Sequence, residues 1–348
     1  MRGLDHQIIM EKQLNIEISK RIWVTRYFMV IGIIVLHLPP YQLLSEIGPS
    51  IFDYIRAFFS HGLFRATVPM LTVLSGFLIF QFNLHLQPFE LLSKKVKSVL
   101  VPLIIWNIPF VIAIYISQKY SVISHEFTAI LYPFDSLSWI NALTGLFGPP
   151  ANYPLHFLRD LFAVSLLSPI YWLFLKRRPY FGLAVVLAVY YFNLDSSFVL
   201  RNSMLVSFYI GALAATQKWS LTCLDKHAKL LFFVFIAFCA VIVLSDIQSS
   251  ELFRLVSPFL VWPSMSLIMN TKLYEFLYNN SKSSFFTFLS HGPIILILWL
   301  LFKKSPADIP YYVYWLLAPP VTVYMSIYLS KSFKNFLPRI SSIVLGGR

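Results

Sequence analysis

The sequence predicts an all-α membrane protein, a helix bundle of about ten transmembrane helices with both termini in the cytoplasm. The chain has 348 residues, of which 57% are hydrophobic and only 12% are charged, and its mean hydropathy is +0.69. A soluble domain carries roughly a quarter charged residues, so lipid is indicated as the main solvent. The net charge of +13 does not indicate a nucleic-acid partner, because the basic residues form short groups between apolar runs.

A transmembrane helix needs about 20 largely apolar residues to cross a hydrocarbon core of roughly 30 Å. The ten predicted spans lie near residues 22–38, 66–84, 98–117, 153–175, 180–194, 200–217, 229–245, 255–270, 284–302 and 310–330. Four of the prolines in these spans are Pro69, Pro102, Pro258 and Pro263, and a helix tolerates them when its neighbours satisfy the freed backbone groups. We therefore expect a single packed transmembrane domain over residues 1–348.

The lysines and arginines are divided unevenly between the two sides of this bundle. Counting across the ten spans places 20 on one side and 7 on the other, with Arg159 inside a span. The positive-inside rule assigns the richer side to the cytoplasm. Arg65 and Arg254 then lie on the non-cytoplasmic side.

Arg26 and His37 are ionisable residues on the first predicted span. Burying such groups in lipid costs at least a few kcal/mol, which makes them functional candidates. Their spacing of eleven residues is about three helical turns, or roughly 16 Å. They therefore share one helix face, with His37 toward the non-cytoplasmic leaflet. A neutral imidazole there can act as a general base, although a hydrogen bond to another helix explains it equally well.

Arg65 immediately precedes the second predicted span, which contains the pair Ser75 and Gly76. A Ser-Gly pair allows either a ligand or another helix to approach the backbone closely. The third span follows the basic cluster Lys94, Lys95 and Lys97. These lysines are candidates for binding the phosphates of a cofactor, but orientation of the helix and contact with anionic lipid explain them more simply.

His156, Arg159 and Asp160 lie near the start of the fourth span, and His291 follows Ser290 in the ninth. Arg159 and Asp160 are adjacent, so they should point to different faces of the helix and each should need a partner elsewhere. For His291, the spacing alone favours a role in helix packing. The two cysteines, Cys223 and Cys239, predict free thiols, and no metal site is expected.

In this order, the motifs resemble the bacterial integral-membrane acyltransferase family 3, which includes O-antigen and exopolysaccharide O-acetyltransferases. The resemblance covers nearly the whole chain. The family opens with an arginine and a histidine separated by ten residues, which Arg26 and His37 match. Its later elements are matched by Arg65 to Leu78, Lys94 to Trp106, Leu155 to Leu161 and Phe285 to Pro293, and the ending of several members is like Leu345-Gly346-Gly347-Arg348. Two departures are the lysines in place of a commoner Arg-x-x-Arg, which differ in phosphate geometry, and His156 in place of Trp.

The resemblance implies acyl transfer from acyl-CoA, usually acetyl-CoA, to a hydroxyl of a glycan or lipid-linked sugar at the bacterial inner membrane. It implies that Lys94, Lys95 and Lys97 hold the donor's phosphates and that Ser75 and Gly76 line the donor site. His37 would then be the catalytic base, and Arg26 would direct the donor into the bundle toward it.

The same resemblance implies that the acceptor is bound by Arg65, Arg159, Asp160, His156 and His291. A transporter or flippase for a glycan or lipid is the alternative class, and an acyltransferase with a non-glycan acceptor is a third. The oligomeric state is not indicated by the sequence.

Overall fold

The computed structural model describes residues 15–121, 129–195, 198–249 and 251–347, and these residues form helices and connecting turns. The α-helices, numbered in chain order, are α1 (Ile16–Leu36), α2 (Ile51–Ala57), α3 (Thr67–Gln81), α4 (Pro88–Lys95), α5 (Val101–Lys119), α6 (Ser136–Thr144), α7 (His156–Leu166), α8 (Ser168–Arg177), α9 (Pro179–Tyr191), α10 (Ser203–Thr216), α11 (Ala228–Leu244), α12 (Glu251–Ser264), α13 (Lys272–Asn280), α14 (Ser284–Lys304), α15 (Tyr311–Phe336) and α16 (Pro338–Val344). The all-α class is confirmed.

Each of the ten predicted spans falls on a helix or on a pair of consecutive helices. By length and composition, five continuous helical runs among the described residues can each cross a membrane. They cover residues 51–81, 88–119, 225–244, 272–304 and 311–336. The pair α7 and α8, bent by 49°, is a sixth if it counts as one span. The chain is thus a multi-pass membrane protein, while the number of ten crossings stays a prediction.

The remaining predicted spans are helices that are shorter or more charged. Pro179–Tyr191 and Ser203–Thr216 are apolar but shorter than the length needed to cross. Helix α1 has 21 residues but carries Glu17, Lys20, Arg21 and Arg26 within its length. Its start is marked by Asn15, whose side chain accepts a hydrogen bond from the Glu17 N–H at 2.9 Å, as an N-cap residue does.

The helices divide between two compact units. Among the described residues, the first comprises residues 15–82 and 206–332, and the second comprises residues 83–205 and 333–347. In the first unit, α1 packs against α3, α13 and α14, while α11 packs against α12 and against the turn Phe58–Gly62. This turn is π-helical, and such turns are frequent at functional sites.

The second unit is organised around α5. Helix α6 packs against α5, with a core that includes Val111, Ile114, Leu131 and Ala142. The side chain of Gln118 donates to the Ala129 carbonyl at 2.7 Å and accepts from the Leu131 N–H at 2.7 Å. These bonds fold the aromatic-rich segment against α5.

Candidate active site

His37 and His291 lie side by side in the first unit. Their ring centroids are 5.3 Å apart and their planes are inclined by 54°. His37 is the C-cap residue of α1, and His291 lies on α14 and is fully buried. The pairing follows from the packing of α1 against α14. The expectation that His291 serves only to pack helices overlooked this neighbour, because spacing along one helix carries no information about another.

Hydrogen bonds fix the tautomer of both imidazoles. His37 Nδ1 lies 2.9 Å from the Ile33 carbonyl, and His291 Nδ1 lies 2.6 Å from the Phe288 carbonyl. A carbonyl oxygen only accepts, so Nδ1 carries the proton in each neutral ring and the lone pair is on Nε2. His291 Nε2 is buried with no hydrogen-bond partner among the described residues. Each ring of the pair therefore carries its lone pair on Nε2.

Arg26 is half-buried on α1, about three turns from His37. Within the described ranges it makes no ion pair. A span retains an arginine where it faces a polar path or the interior of the bundle. Arg26 therefore remains a candidate for binding an anionic group, at a distance from His37 that excludes direct contact between the two side chains.

Gly76 is occupied by helix packing. A Cβ added at Gly76 would lie 2.2 Å from the Phe208 carbonyl oxygen, and one added at Gly211 would meet the Val73 carbonyl. Helices α3 and α10 thus meet backbone to backbone, as small residues permit in membranes. Ser75 donates to the Leu71 carbonyl of its own helix at 2.8 Å. Of the two explanations open for the Ser-Gly pair, the structure favours packing.

A large apolar cavity of about 350 Å³ lies in the first unit. Its walls come from α1, α3, α10 and α12 and include Trp219 and Trp262. The guanidinium of Arg21, 4.3 Å from the Trp262 ring centroid, pairs with Asp225 at 2.9 Å. A cavity with such apolar walls suits an uncharged, apolar ligand.

Arg65 lies beside a second, polar cavity of about 160 Å³ in the same unit. Its Nη2 lies 3.3 Å from the Tyr41 hydroxyl and 3.5 Å from His61 Nδ1. His61 Nε2 donates to the Gln42 carbonyl at 3.0 Å, which leaves the lone pair on Nδ1. Arg254 lines the same cavity.

In the second unit, Arg159 and Asp160 form an ion pair with Nη1 to Oδ1 at 2.9 Å. The expectation that these neighbours could not neutralise each other is wrong, because the long arginine side chain curls back to the carboxylate. The fully buried Asp160 also accepts from the N–H groups of Leu200 and Arg201, each at 3.0 Å.

The other donors of Arg159 go to backbone carbonyls, namely those of Gly145 at 3.0 Å, Leu146 at 3.4 Å and Phe198 at 2.6 Å. Arg159 and Asp160 thus tie three chain segments together. These bonds give both residues a structural role. Their contact with the acceptor stays a prediction.

His156 joins the same network through Arg201. Its Nδ1 donates to the Tyr153 carbonyl at 2.7 Å, and its Nε2 accepts from Arg201 Nε at 2.6 Å. Both ring nitrogens are therefore engaged. This pairing supplies a reason for histidine where the resembling family carries tryptophan, since an indole has no acceptor nitrogen.

The three predicted phosphate-binding lysines lie at the start of the third span, in the second unit. Lys94 forms an exposed ion pair with Glu90 at 2.6 Å, and Lys97 is exposed on the π-helical turn Val96–Leu100. Gly346 packs against the backbone of Lys97 and Ser98. The C-terminal glycine motif therefore lies against the basic cluster, while Arg348 lies outside the described residues.

Three residues of these sites, His61, Arg201 and Arg254, were not among the functional candidates that the sequence predicts. Arg254 had a usable signal, since it shares the predicted non-cytoplasmic side with Arg65. His61 and Arg201 carry no local pattern, because their partners are distant in the chain.

Comparison with known proteins agrees with these features. A family model described as an acyltransferase domain matches residues 20–331. The chain is 26% identical over 355 residues to the succinoglycan biosynthesis protein ExoH of Rhizobium meliloti (strain 1021), covering 96% of this chain and 94% of that protein. No solved structure matches significantly. The match favours acyl transfer over transport, and the chain belongs to the integral-membrane acyltransferase family 3 that its motifs resemble.

Proposed function

We propose that this chain is a membrane O-acyltransferase that moves acetyl from cytoplasmic acetyl-CoA to a hydroxyl of a lipid-linked or surface polysaccharide. The glycan acceptor is suggested by the similarity to a protein of succinoglycan biosynthesis. The bacterial inner membrane is the expected location, with both termini in the cytoplasm, since the positive-inside rule assigns the 20 basic residues to that side.

The single observation that carries this proposal is the geometry of His37. Its Nδ1–H is held by the Ile33 carbonyl, so the ring keeps one orientation and its Nε2 is the basic atom. The residue lies at the C-terminal end of α1, and His291 lies beside it. A cationic neighbour would disfavour the imidazolium that forms on proton transfer, whereas a neutral imidazole does not.

In the proposed reaction, His37 Nε2 takes the proton of an acceptor hydroxyl as its oxygen attacks the carbonyl carbon of the thioester. The tetrahedral intermediate collapses as the C–S bond breaks, and the imidazolium returns the proton to the leaving thiolate of CoA. The products are the O-acyl sugar and free CoA. A variant with an acyl-imidazole on His37 uses the same atoms in two steps.

The donor is expected to contact basic residues. Lys94, Lys95 and Lys97 are the candidates for its phosphates, and Arg26 is a candidate for an anionic group inside the membrane. Arginine and lysine neutralise phosphate in different ways, and the lysines act as point charges rather than bidentate forks. Ser75 and Gly76 contribute by letting α3 pack closely on α10, which shapes the wall of the apolar cavity.

The test is substitution of His37 in membranes that contain the full chain. His37→Ala should lower transfer of labelled acetyl from acetyl-CoA by roughly 10²- to 10⁴-fold, the contribution of a general base. The matched control is His227→Ala, which removes an exposed histidine and should leave transfer unchanged. Insertion of both variants is checked by membrane fractionation.

Normal acetylation by His37→Ala would refute the assignment of the base. Transfer of label to lipid in place of glycan would identify a non-glycan acceptor. Absence of any turnover of acetyl-CoA by the wild-type protein, while a longer or dicarboxylic acyl-CoA is consumed, would correct the donor and leave the role of His37 in place.

A further inference from the structure

The polar cavity beside Arg65 has the composition of an anion-binding site. It is lined by Tyr41, Leu43, Leu44, His61, Arg65, Ile242, Ile247, Gln248 and Arg254. These residues come from the segment after α1, the turn before α3, the end of α11 and the start of α12. Two guanidinium groups, an imidazole, a phenol and an amide therefore converge from distant parts of the chain.

The charge of Arg65 is not neutralised by the protein around it. Its Nη2 donates to neutral acceptors, the Tyr41 hydroxyl and His61 Nδ1. Among the described residues no carboxylate lies within ion-pair distance of Arg65. His61 in turn is anchored by the Gln42 carbonyl. The guanidinium is thus held in position by neutral groups, which leaves its charge available to an oxyanion.

Glu46 and Asp246, two acidic residues close in sequence to residues that line the cavity, are engaged locally. Glu46 accepts from the Leu43 N–H at 3.1 Å, and Asp246 accepts from Gln248 Nε2 at 2.6 Å. Neither pairs with Arg65. Arg65 therefore brings to the cavity a positive charge that no carboxylate among the described residues offsets.

The position of the cavity connects it to His37. A smaller cavity is lined by Leu36 and Leu38, the residues on either side of His37, and shares Tyr41 and His61 with the larger one. Arg65 and Arg254 also share the predicted non-cytoplasmic side, where the acceptor is expected. A group bound there would approach the end of α1 that carries the base.

We propose that this cavity, through Arg65 and Arg254, binds an oxyanion of the acceptor, either a carboxylate of an acidic sugar or a phosphate of a glycan phosphate. The inference rests on the proposed acyl transfer to a glycan and names the class of acceptor. A volume of about 160 Å³ accommodates one such group with water. Bidentate recognition by arginine gives orientation as well as affinity, so the site would fix which hydroxyl reaches His37.

The test measures equilibrium binding to the purified full chain in nanodiscs of neutral lipid. Three fluorescent tetrasaccharides serve as probes: a neutral glucose oligomer, the same oligomer ending in glucuronate, and its 1-phosphate. One or both anionic probes should bind roughly 10- to 100-fold more tightly than the neutral one, as charge-assisted hydrogen bonds predict, and rising salt should reduce the difference. Preference for the glucuronate probe identifies a carboxylate, and preference for the 1-phosphate identifies a phosphate.

Substitution localises the effect. Arg65→Gln and Arg254→Gln should each remove most of the preference for the anionic probe and leave binding of the neutral probe unchanged. Lys304→Gln removes one exposed charge elsewhere in the same unit and should change nothing. Arg254→Lys, which keeps the charge without the planar fork, should retain part of the preference.

Equal binding of all three probes by the wild-type protein would overturn the proposal without any variant. Retention of the full preference in both glutamine variants would overturn it as well. His37→Ala should keep the anionic preference while losing transfer. Failure of the acyltransferase assignment is therefore seen in the transfer assay, and failure of the anion site is seen in the binding assay.

Discussion

The close approach of α3 and α10 gives a prediction whose magnitude follows from the structure. In Gly76→Ala, the added Cβ would lie 2.2 Å from the Phe208 carbonyl oxygen, where ordinary contact begins at 3.4 Å. The two helix backbones must therefore separate by about 1.2 Å, because all of the nearest atoms belong to the backbone of Phe208. Overpacking of this kind costs about 1–3 kcal/mol, which corresponds to a fall in Tm of roughly 2–12 °C.

The assay is thermal unfolding of the purified full chain in one detergent, with acetyl-CoA turnover measured in parallel. Gly148→Ala is the matched control, because a Cβ there meets only the Asn141 side chain at 3.6 Å, and its Tm should stay within about a degree of the wild type. Ser75→Ala should also have a small effect, since the hydroxyl bonds only to its own helix. An unchanged Tm for Gly76→Ala together with a raised KM for acetyl-CoA would refute the packing argument and restore the donor contact.

Two further predictions concern the second unit. Asp160→Asn removes the charge opposite the mostly buried Arg159, whose side chain is 13% exposed, and should lower the free energy of unfolding by about 3–5 kcal/mol. The control Glu90→Gln breaks an exposed ion pair and should lower it by less than about 1 kcal/mol. An equal effect of both variants in thermal melts would contradict the structural role of Asp160. Gly346→Ala places a Cβ 2.6 Å from the Ser98 Cα, whereas a Cβ at Gly347 meets nothing within 4 Å, and both glycines have positive φ. Gly346→Ala should therefore loosen the C-terminal segment more than Gly347→Ala, as measured by hydrogen exchange. Equal exchange in the two variants would show that backbone strain alone acts there.

Much of the candidate site was visible in the sequence as separate pieces. The pair Arg26 and His37 follows from helical spacing, and Arg65 follows from its position at a span boundary. The sequence did not show which of these residues come into contact in the folded protein. The approach of His37 to His291 depends on the packing of α1 against α14, more than 250 residues away in the chain, and no periodicity encodes that contact.

Local rules also misjudged one case. Adjacent helical residues point in different directions, yet Arg159 reaches back to Asp160 because its side chain is long and Asp160 is fixed by the Leu200 and Arg201 amides. The amides that fix this carboxylate come from a segment 40 residues away. A side chain with several rotatable bonds can reach a partner that the tertiary structure fixes, whatever the direction of its Cβ.

The sequence by itself determined the class of this protein, since an apolar content of 57% with 12% charged residues leaves the membrane as the only solvent in which the chain can fold as a helix bundle. Its motifs also determined the family. The tertiary structure decided the roles of individual residues: Gly76 packs, His291 faces His37, and Arg254 joins Arg65 at one cavity. The reason is physical, because hydropathy and spacing are properties of single segments, whereas a site is a set of contacts between segments.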